Sequence, residues 1–212
     1  MKTIIKNGRV IDPSQNLDDF FDLCFENGKI VALEKTGKLN DSSAQIVDAK
    51  NQIVTPGFVE LHAHLREPGH EYKETIATGA RAAVAGGYTS VCCMANTNPP
   101  NDTAVVTNYI LQKAREAGLC RVYPIGAITK GLKGEEFAPL GELQAAGCVA
   151  ISDDGWTVQD AQMMRMGLER WVQREPVLVK SKAFRIKLIY TFLRLQNRWQ
   201  ALVHLWPVIK KF

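Results

Sequence analysis

His62 and His64 stand two residues apart in the stretch Pro56-Gly57-Phe58-Val59-Glu60-Leu61-His62-Ala63-His64-Leu65-Arg66-Glu67-Pro68-Gly69. In an extended strand, residues i and i+2 point to the same face, so the two imidazoles can offer nitrogens to one cation. Arg66 shares that parity one step further out, where a guanidinium fork suits a substrate carboxylate. A bare His-x-His arises by chance in many strands. Here a Pro-Gly turn precedes the strand, apolar Phe58, Val59 and Leu61 fill it, and Glu67-Pro68-Gly69 breaks it, so the metal reading is favoured. A second cluster, Ser152-Asp153-Asp154-Gly155, offers carboxylates. Neighbouring residues on a strand face opposite ways, so only one of Asp153 and Asp154 can reach a metal. Taken alone, Asp-Asp-Gly reads more readily as a turn that caps the next helix. Two imidazoles and a carboxylate together suit zinc, and a binuclear centre would need a bridging carboxylate.

The elements that must position these residues are legible in the periodicity. Residues 1–56 read as short strands joined by tight turns, with Asn27-Gly28 as a hairpin signal, and predict a small β-sandwich segment with a packing role. From residue 57 the rhythm becomes strand, loop, helix, repeated, which marks a parallel sheet with crossover helices. The spacing predicts a helix from Glu71 to Ala85 ended by Gly86-Gly87, a strand from Tyr88 to Met94, a helix from Thr103 to Ala117 and a strand from Arg121 to Ile128. A short helix near Leu140 to Ala146, a strand from Cys148 to Ser152 and a helix opened by a Thr157/Asp160 capping box follow. Four β/α units are half of a TIM-type barrel, whose chemistry sits at the C-terminal ends of its strands. His62, His64 and Arg66 fall at the end of the first strand, Asn96 at the end of the second, and Asp153-Asp154 at the end of the fourth. The expected fold is therefore α/β, a partial (β/α) barrel behind the N-terminal segment.

Composition narrows the classes further. The 212 residues are 46% hydrophobic with a formal charge of +4, a globular balance with room for one sizeable domain and an appendage. Five cysteines without a Cys-x-x-Cys pair argue against a disulfide framework and a thiolate zinc site. The apolar run near the N-terminus is too short for a secretory signal, so a cytoplasmic location is expected. The charge is unevenly spread: residues 171–212 hold nine Lys or Arg and a single acid, Glu175, while the preceding residues hold 17 basic and 21 acidic side chains. That last segment also has none of the 16 glycines and three of the four tryptophans.

On these motifs the chain resembles the dihydroorotases of the amidohydrolase superfamily, in particular the long-chain bacterial class with two zinc ions. The resemblance covers about residues 1–170. It rests on the histidine stretch, Lys73-Glu74-Thr75 followed by Gly79, Met94-Ala95-Asn96-Thr97 with Pro99 and Asp102, and Ser152-Asp153-Asp154-Gly155. It implies that His62 and His64 bind one zinc, that Asp154 bridges two, and that Arg66 and Asn96 hold the carboxylate of a small-molecule substrate. The implied reaction interconverts N-carbamoyl-L-aspartate and dihydroorotate in pyrimidine biosynthesis. Ala95 stands where many relatives have proline. Dihydropyrimidinases and hydantoinases share the His-x-His opening but bridge their metals with a carboxylated lysine, and allantoinases are also related; the asparagine loop and Asp-Asp-Gly favour dihydroorotase.

Beyond residue 170 the resemblance implies four further β/α units carrying two more zinc histidines and the general-base aspartate. In their place Pro176-Val177-Leu178-Val179 runs into Lys180, and the later His204 lies in a basic stretch. No catalytic residue is therefore assigned. The expected division is 1–56, the β-sandwich segment; 57–175, the first half of a metal-dependent hydrolase barrel; and 176–212, an aberrant basic tail. Three readings compete for that tail: an anionic-surface or nucleic-acid binder, a partner-docking extension, and the product of a reading-frame change. The abrupt loss of glycine and acid favours the last, so neither membrane nor nucleic acid is an expected partner. The expectation is a truncated, inactive, aggregation-prone enzyme. Its alternative is a non-catalytic scaffold for aspartate carbamoyltransferase, and self-association is a further option.

Overall fold

The computed structural model describes residues 2–172, so Lys180, His204 and the expected basic tail lie outside the described residues. The chain divides between Phe58 and Val59 into two compact units.

In the first unit, β1 (Lys2–Asp12) and β2 (Leu17–Glu26) pair antiparallel with Ile4 opposite Cys24. β3 (Lys29–Lys35) returns across Asn27-Gly28. Both turn residues have positive φ, 50° and 73°, which suits a two-residue hairpin turn because its twist matches that of the strands. β4 (Gln45–Asp48) and β5 (Ile53–Val54) add parallel to β1. The result is one mixed sheet in the order β3-β2-β1-β4, with β5 also on β1. The expected short strands are present, and among the described residues of this unit they make a single layer. A register shift between Ile5 and Gly8 is held by Asp22, which is fully buried and accepts from the Asn7 amide at 3.0 Å and the Gly37 amide at 2.8 Å.

The second unit alternates β6 (Phe58–Ala63), α1 (Ile76–Ala85), β7 (Tyr88–Cys93), α2 (Ala104–Ala117), β8 (Arg121–Gly126), α3 (Leu140–Ala146), β9 (Ala150–Ile151) and α4 (Ala161–Val172). Its sheet runs β6-β7-β8-β9 in chain order, with β7 parallel to β8 and β8 parallel to β9. This is the expected half-barrel pattern. Alternate residues explain why the strands are almost continuously apolar. Val91, Cys93 and Val122 pack with Ile76, Val106, Ile110 and Ala114 of the helices, whereas Cys92, Met94, Ile125 and Ala150 pack with Leu61, Tyr123 and Val149. Strands covered on both sides cannot use polar alternation. Burial raises the Cys92 and Cys148 thiols to about 11 and the Cys93 thiol to about 12, so these cysteines act as small core hydrophobes rather than nucleophiles.

Two helix starts differ from expectation. α1 begins at Ile76 rather than Glu71 because Thr75 caps it: the Thr78 amide donates to Thr75 Oγ1 at 3.1 Å, and the Thr75 amide donates to Thr78 Oγ1 at 3.0 Å. The preceding residues form turns instead, with the Lys73 amide on the His70 carbonyl. α4 begins at Ala161 because Asp160 is itself the cap, its Oδ1 accepting from Gln162 and Met163 amides at 2.7 and 3.1 Å. In both cases a side-chain oxygen nearer the apolar run satisfied the free amides first.

Candidate metal centre

Three ends of the half-barrel strands supply the site. His62 is next to last in β6 and His64 is the first residue past it, so strand alternation brings both rings to one side, with centroids 5.2 Å apart. The Met94 amide donates to the Ala63 carbonyl at 2.9 Å, which ties the exit of β6 to the exit of β7 and to the Asn96 loop that follows.

The Asp153-Asp154 pair divides its labour. Asp153 is buried, with Oδ1 accepting from the Ile128 amide at 2.7 Å and the Thr129 amide at 3.1 Å, while the Thr129 hydroxyl donates to Oδ2. It laces the exit of β8 to the exit of β9. Burial raises its pKa, and the bonds from Thr129 and Ile128 oppose that rise. Asp154 takes a left-handed conformation, φ 51°, and turns the other way. Its Oδ1 lies 3.0 Å from His62 Nε2 and its Oδ2 lies 3.9 Å from His64 Nε2.

One nitrogen from each ring and one oxygen of Asp154 lie within 4.8 Å of one another. Donors about 2.0–2.2 Å from a tetrahedral cation stand about 3.4 Å apart. The 3.0 Å from His62 to Oδ1 and the 3.9 Å from His64 to Oδ2 fall on either side of that spacing, so the three side chains fit a metal with small adjustment.

Asn96 sits between the donors. Its Nδ2 donates to Asp154 Oδ2 at 2.5 Å, and its Oδ1 lies 2.9 Å from His64 Nδ1. Arg66 does not continue the strand as expected. The strand ends at Ala63, and Arg66 has φ 59° in a tight turn where the Glu67 amide meets the Leu65 carbonyl and the His70 amide meets the Arg66 carbonyl. A turn, not strand parity, therefore sets its position. Among the described residues the Arg66 guanidinium forms no ion pair.

Residues the sequence reading passed over hold these loops. Glu67, buried, accepts from the Ile76 amide at 2.9 Å and the Tyr109 hydroxyl at 3.1 Å, joining the Arg66 turn to α1 and α2. Asn101, fully buried, donates to the Ile125 carbonyl at 2.8 Å and accepts from Thr107 Oγ1 at 2.7 Å, and its own amide holds the Ala95 carbonyl. The available signal was a polar residue beside a turn that an apolar core must surround. Two glycines of the motifs also gain a reason. A Cβ on Gly69, at φ 91°, would lie 1.9 Å from the Asn98 carbonyl oxygen, and one on Gly79 would lie 2.5 Å from Leu65 Cδ2. Only glycine lets the Arg66 and Asn96 loops approach so closely, whereas a Cβ at residue 79 would require the Leu65 side chain to shift.

The dihydro-orotase-like family model matches residues 51–182. The chain belongs to the dihydroorotase-like family. It is 56% identical over 169 residues to the dihydroorotase of Aquifex aeolicus, covering 80% of this chain and 40% of that protein. It is 50% identical over 189 residues to the dihydroorotase of Geobacter sulfurreducens, covering 89% of this chain and 44% of that protein. The chain thus spans less than half the length of these curated relatives. The L-hydantoinase (dihydropyrimidinase) of Arthrobacter aurescens shares the fold of this dihydroorotase-like chain, with a TM-score of 0.57 and 23% identity over 70% of this chain and 32% of that one. Membership of a family of amidohydrolases and the clustered donors together point to a metal. Among the described residues, no helix is long and apolar enough to cross a membrane.

Proposed function

We propose that this site is the zinc-binding half of a dihydroorotase centre, acting on the cyclic amide of dihydroorotate or on N-carbamoyl-L-aspartate in cytoplasmic pyrimidine biosynthesis. The observation that carries the reading is the convergence of His62, His64 and Asp154 within 4.8 Å, in a chain whose relatives are dihydroorotases. The reading gives the chemistry to residues 57–175 and a packing role to residues 1–56.

When bound, zinc would activate water and polarise the scissile carbonyl. The protein's own residues do the rest. His62 and His64 would each offer one ring nitrogen, and Asp154, whose two oxygens face the two rings, would offer a carboxylate oxygen. Arg66, without an acidic partner among the described residues, offers a fork to the substrate carboxylate and fixes the ring's orientation. Asn96 keeps a second N–H for the same carboxylate, since an amide nitrogen has two and Asp154 takes one.

The test uses the full 212-residue chain. Metal content after zinc loading and dialysis should fall sharply in His62→Ala, His64→Ala and Asp154→Asn. Calorimetric binding of dihydroorotate to the zinc-loaded protein should be lost in Arg66→Met with zinc content unchanged. Zinc retained by the histidine variants, or lost in Arg66→Met, would overturn the assignment of roles.

A further inference from the structure

Asn96 touches both a histidine and the carboxylate of the candidate centre, and the chemistry of the two contacts fixes its orientation. An ionised carboxylate only accepts hydrogen bonds, so the group facing Asp154 Oδ2 at 2.5 Å must be the amide Nδ2. The side-chain oxygen then necessarily faces His64 Nδ1 at 2.9 Å. An amide oxygen only accepts, so Nδ1 must carry the ring's proton. A neutral imidazole has one N–H, which leaves His64 Nε2, the nitrogen 3.9 Å from Asp154 Oδ2, with its lone pair free for a cation.

We propose that Asn96 is a positioning residue of the metal centre: it locks His64 in the Nδ1–H tautomer and holds Asp154 Oδ2, so that both donors face one cation before it arrives. This rests on the metal reading of His62, His64 and Asp154. It adds to Asn96 a task separate from substrate binding, because the oxygen and one N–H are committed within the protein. The lock stands on a built frame. The Asn98 amide on the Pro68 carbonyl at 2.9 Å and the close approach at Gly69 hold the Asn96 loop against the Arg66 turn, and Asn101 ties that loop to β8 through the Ile125 carbonyl. Partners that fix the tautomer of a ligating histidine typically contribute about 10- to 100-fold in metal affinity.

The experiment compares the full chain with Asn96→Ala and Asn96→Asp. In metal-free protein above the imidazole titration range, ring ¹⁵N shifts read the His64 tautomer. In a parallel titration, cobalt(II) competed against a chelator reads affinity. Wild type should show Nδ1–H; Asn96→Ala should lose that preference and bind cobalt(II) about 10- to 100-fold more weakly. Asn96→Asp, whose carboxylate still accepts from Nδ1, should retain the tautomer. It also keeps the question answerable if the alanine variant fails to fold. An Nε2–H ring in wild type or in Asn96→Asp would overturn the proposal, as would an alanine variant unchanged in both tautomer and affinity. His62→Ala and Asp154→Asn serve as controls. If they bind cobalt(II) as wild type does, the metal reading fails, whereas the tautomer in metal-free protein still decides the role of Asn96.

Discussion

The two units of the chain are held by different physics. In the first, exposed or half-buried aspartates do much of the local work: Asp18 on Arg9, Asp41 on Lys2, Asp19 on Lys35, Asp12 on Ser14 and Gln15, and Asp48 on Asn7. Its strands still show Ile30, Val31, Ile46 and Ile53 at 49–59% exposure. In the second unit, Ile76, Ile110, Ile125 and Leu143 are fully buried, and the charged groups that matter, Asp153 and Glu67, are buried and engaged by backbone amides. The unit expected to do chemistry is the one whose frame rests on buried apolar packing. That is physically sensible, since donor atoms must be held to within a fraction of an ångström, and close-packed side chains do this better than solvated ion pairs.

The contrast can be broken by substitution. The largest effect is expected for Ile110→Ala, which empties a fully buried position and should cost about 2–5 kcal/mol in denaturant unfolding, with hydrogen-exchange protection lost across β7 and β8. Next, Asp22→Ala should cost about 1–3 kcal/mol and deprotect the Asn7 and Gly37 amides. It is the exception within the first unit, a buried carboxylate that joins the Asn7 and Gly37 backbones through hydrogen bonds from their amides. A loss confined to the second unit would contradict that assignment.

Acid should act more gently and on the first unit. The pKa values of Asp12, Asp18, Asp19, Asp41 and Asp48 are all lowered, chiefly by side-chain hydrogen bonds from Ser14, Arg9, Lys35, Lys2 and Asn7 respectively. A depressed folded-state pKa gives stability that is present above the unfolded value of about 3.9 and disappears as pH falls through the folded value. Protection of β1 and β2 should therefore decline below about pH 4, by a modest amount because solvent screens exposed pairs. Asp153 has the opposite sign: burial raises its pKa, so protonation relieves rather than removes a contribution there. The smallest effect belongs to Ile30→Ser, at a position 59% exposed, which should stay within about 0.5 kcal/mol. If it matched Ile110→Ala, the distinction between the units would collapse.

Much of this is legible in the sequence. Asn27-Gly28 specified its hairpin because few residues accept two successive positive φ angles, and α3 runs from Leu140 to Ala146 as the periodicity indicated. That His62, His64 and one aspartate of the Asp153-Asp154 pair would meet followed from their places at strand ends, while the choice of Asp154 came only from the family resemblance. Helix starts were misplaced where two hydroxyl or carboxylate caps competed within a few residues, as at Thr157 and Asp160, because local sequence does not rank near-equal caps. The parity assigned to Arg66 failed for a related reason: Glu67-Pro68-Gly69 announced the end of the strand but not that it ended at Ala63.

Local sequence determined the alternation of strands and helices, the paired imidazoles and the carboxylates available to join them, since these depend on periods of two and 3.6 residues and on side-chain chemistry. Local periodicity left open which aspartate of the pair turns toward the rings, which only the resemblance named; the tertiary structure decided that point, that Asn96 lies between His64 and Asp154, and that Glu67 and Asn101 brace the loops. Those choices rest on contacts between residues as far apart in sequence as Asn96 and Asp154, where burial and the satisfaction of every polar group are settled by the whole fold at once.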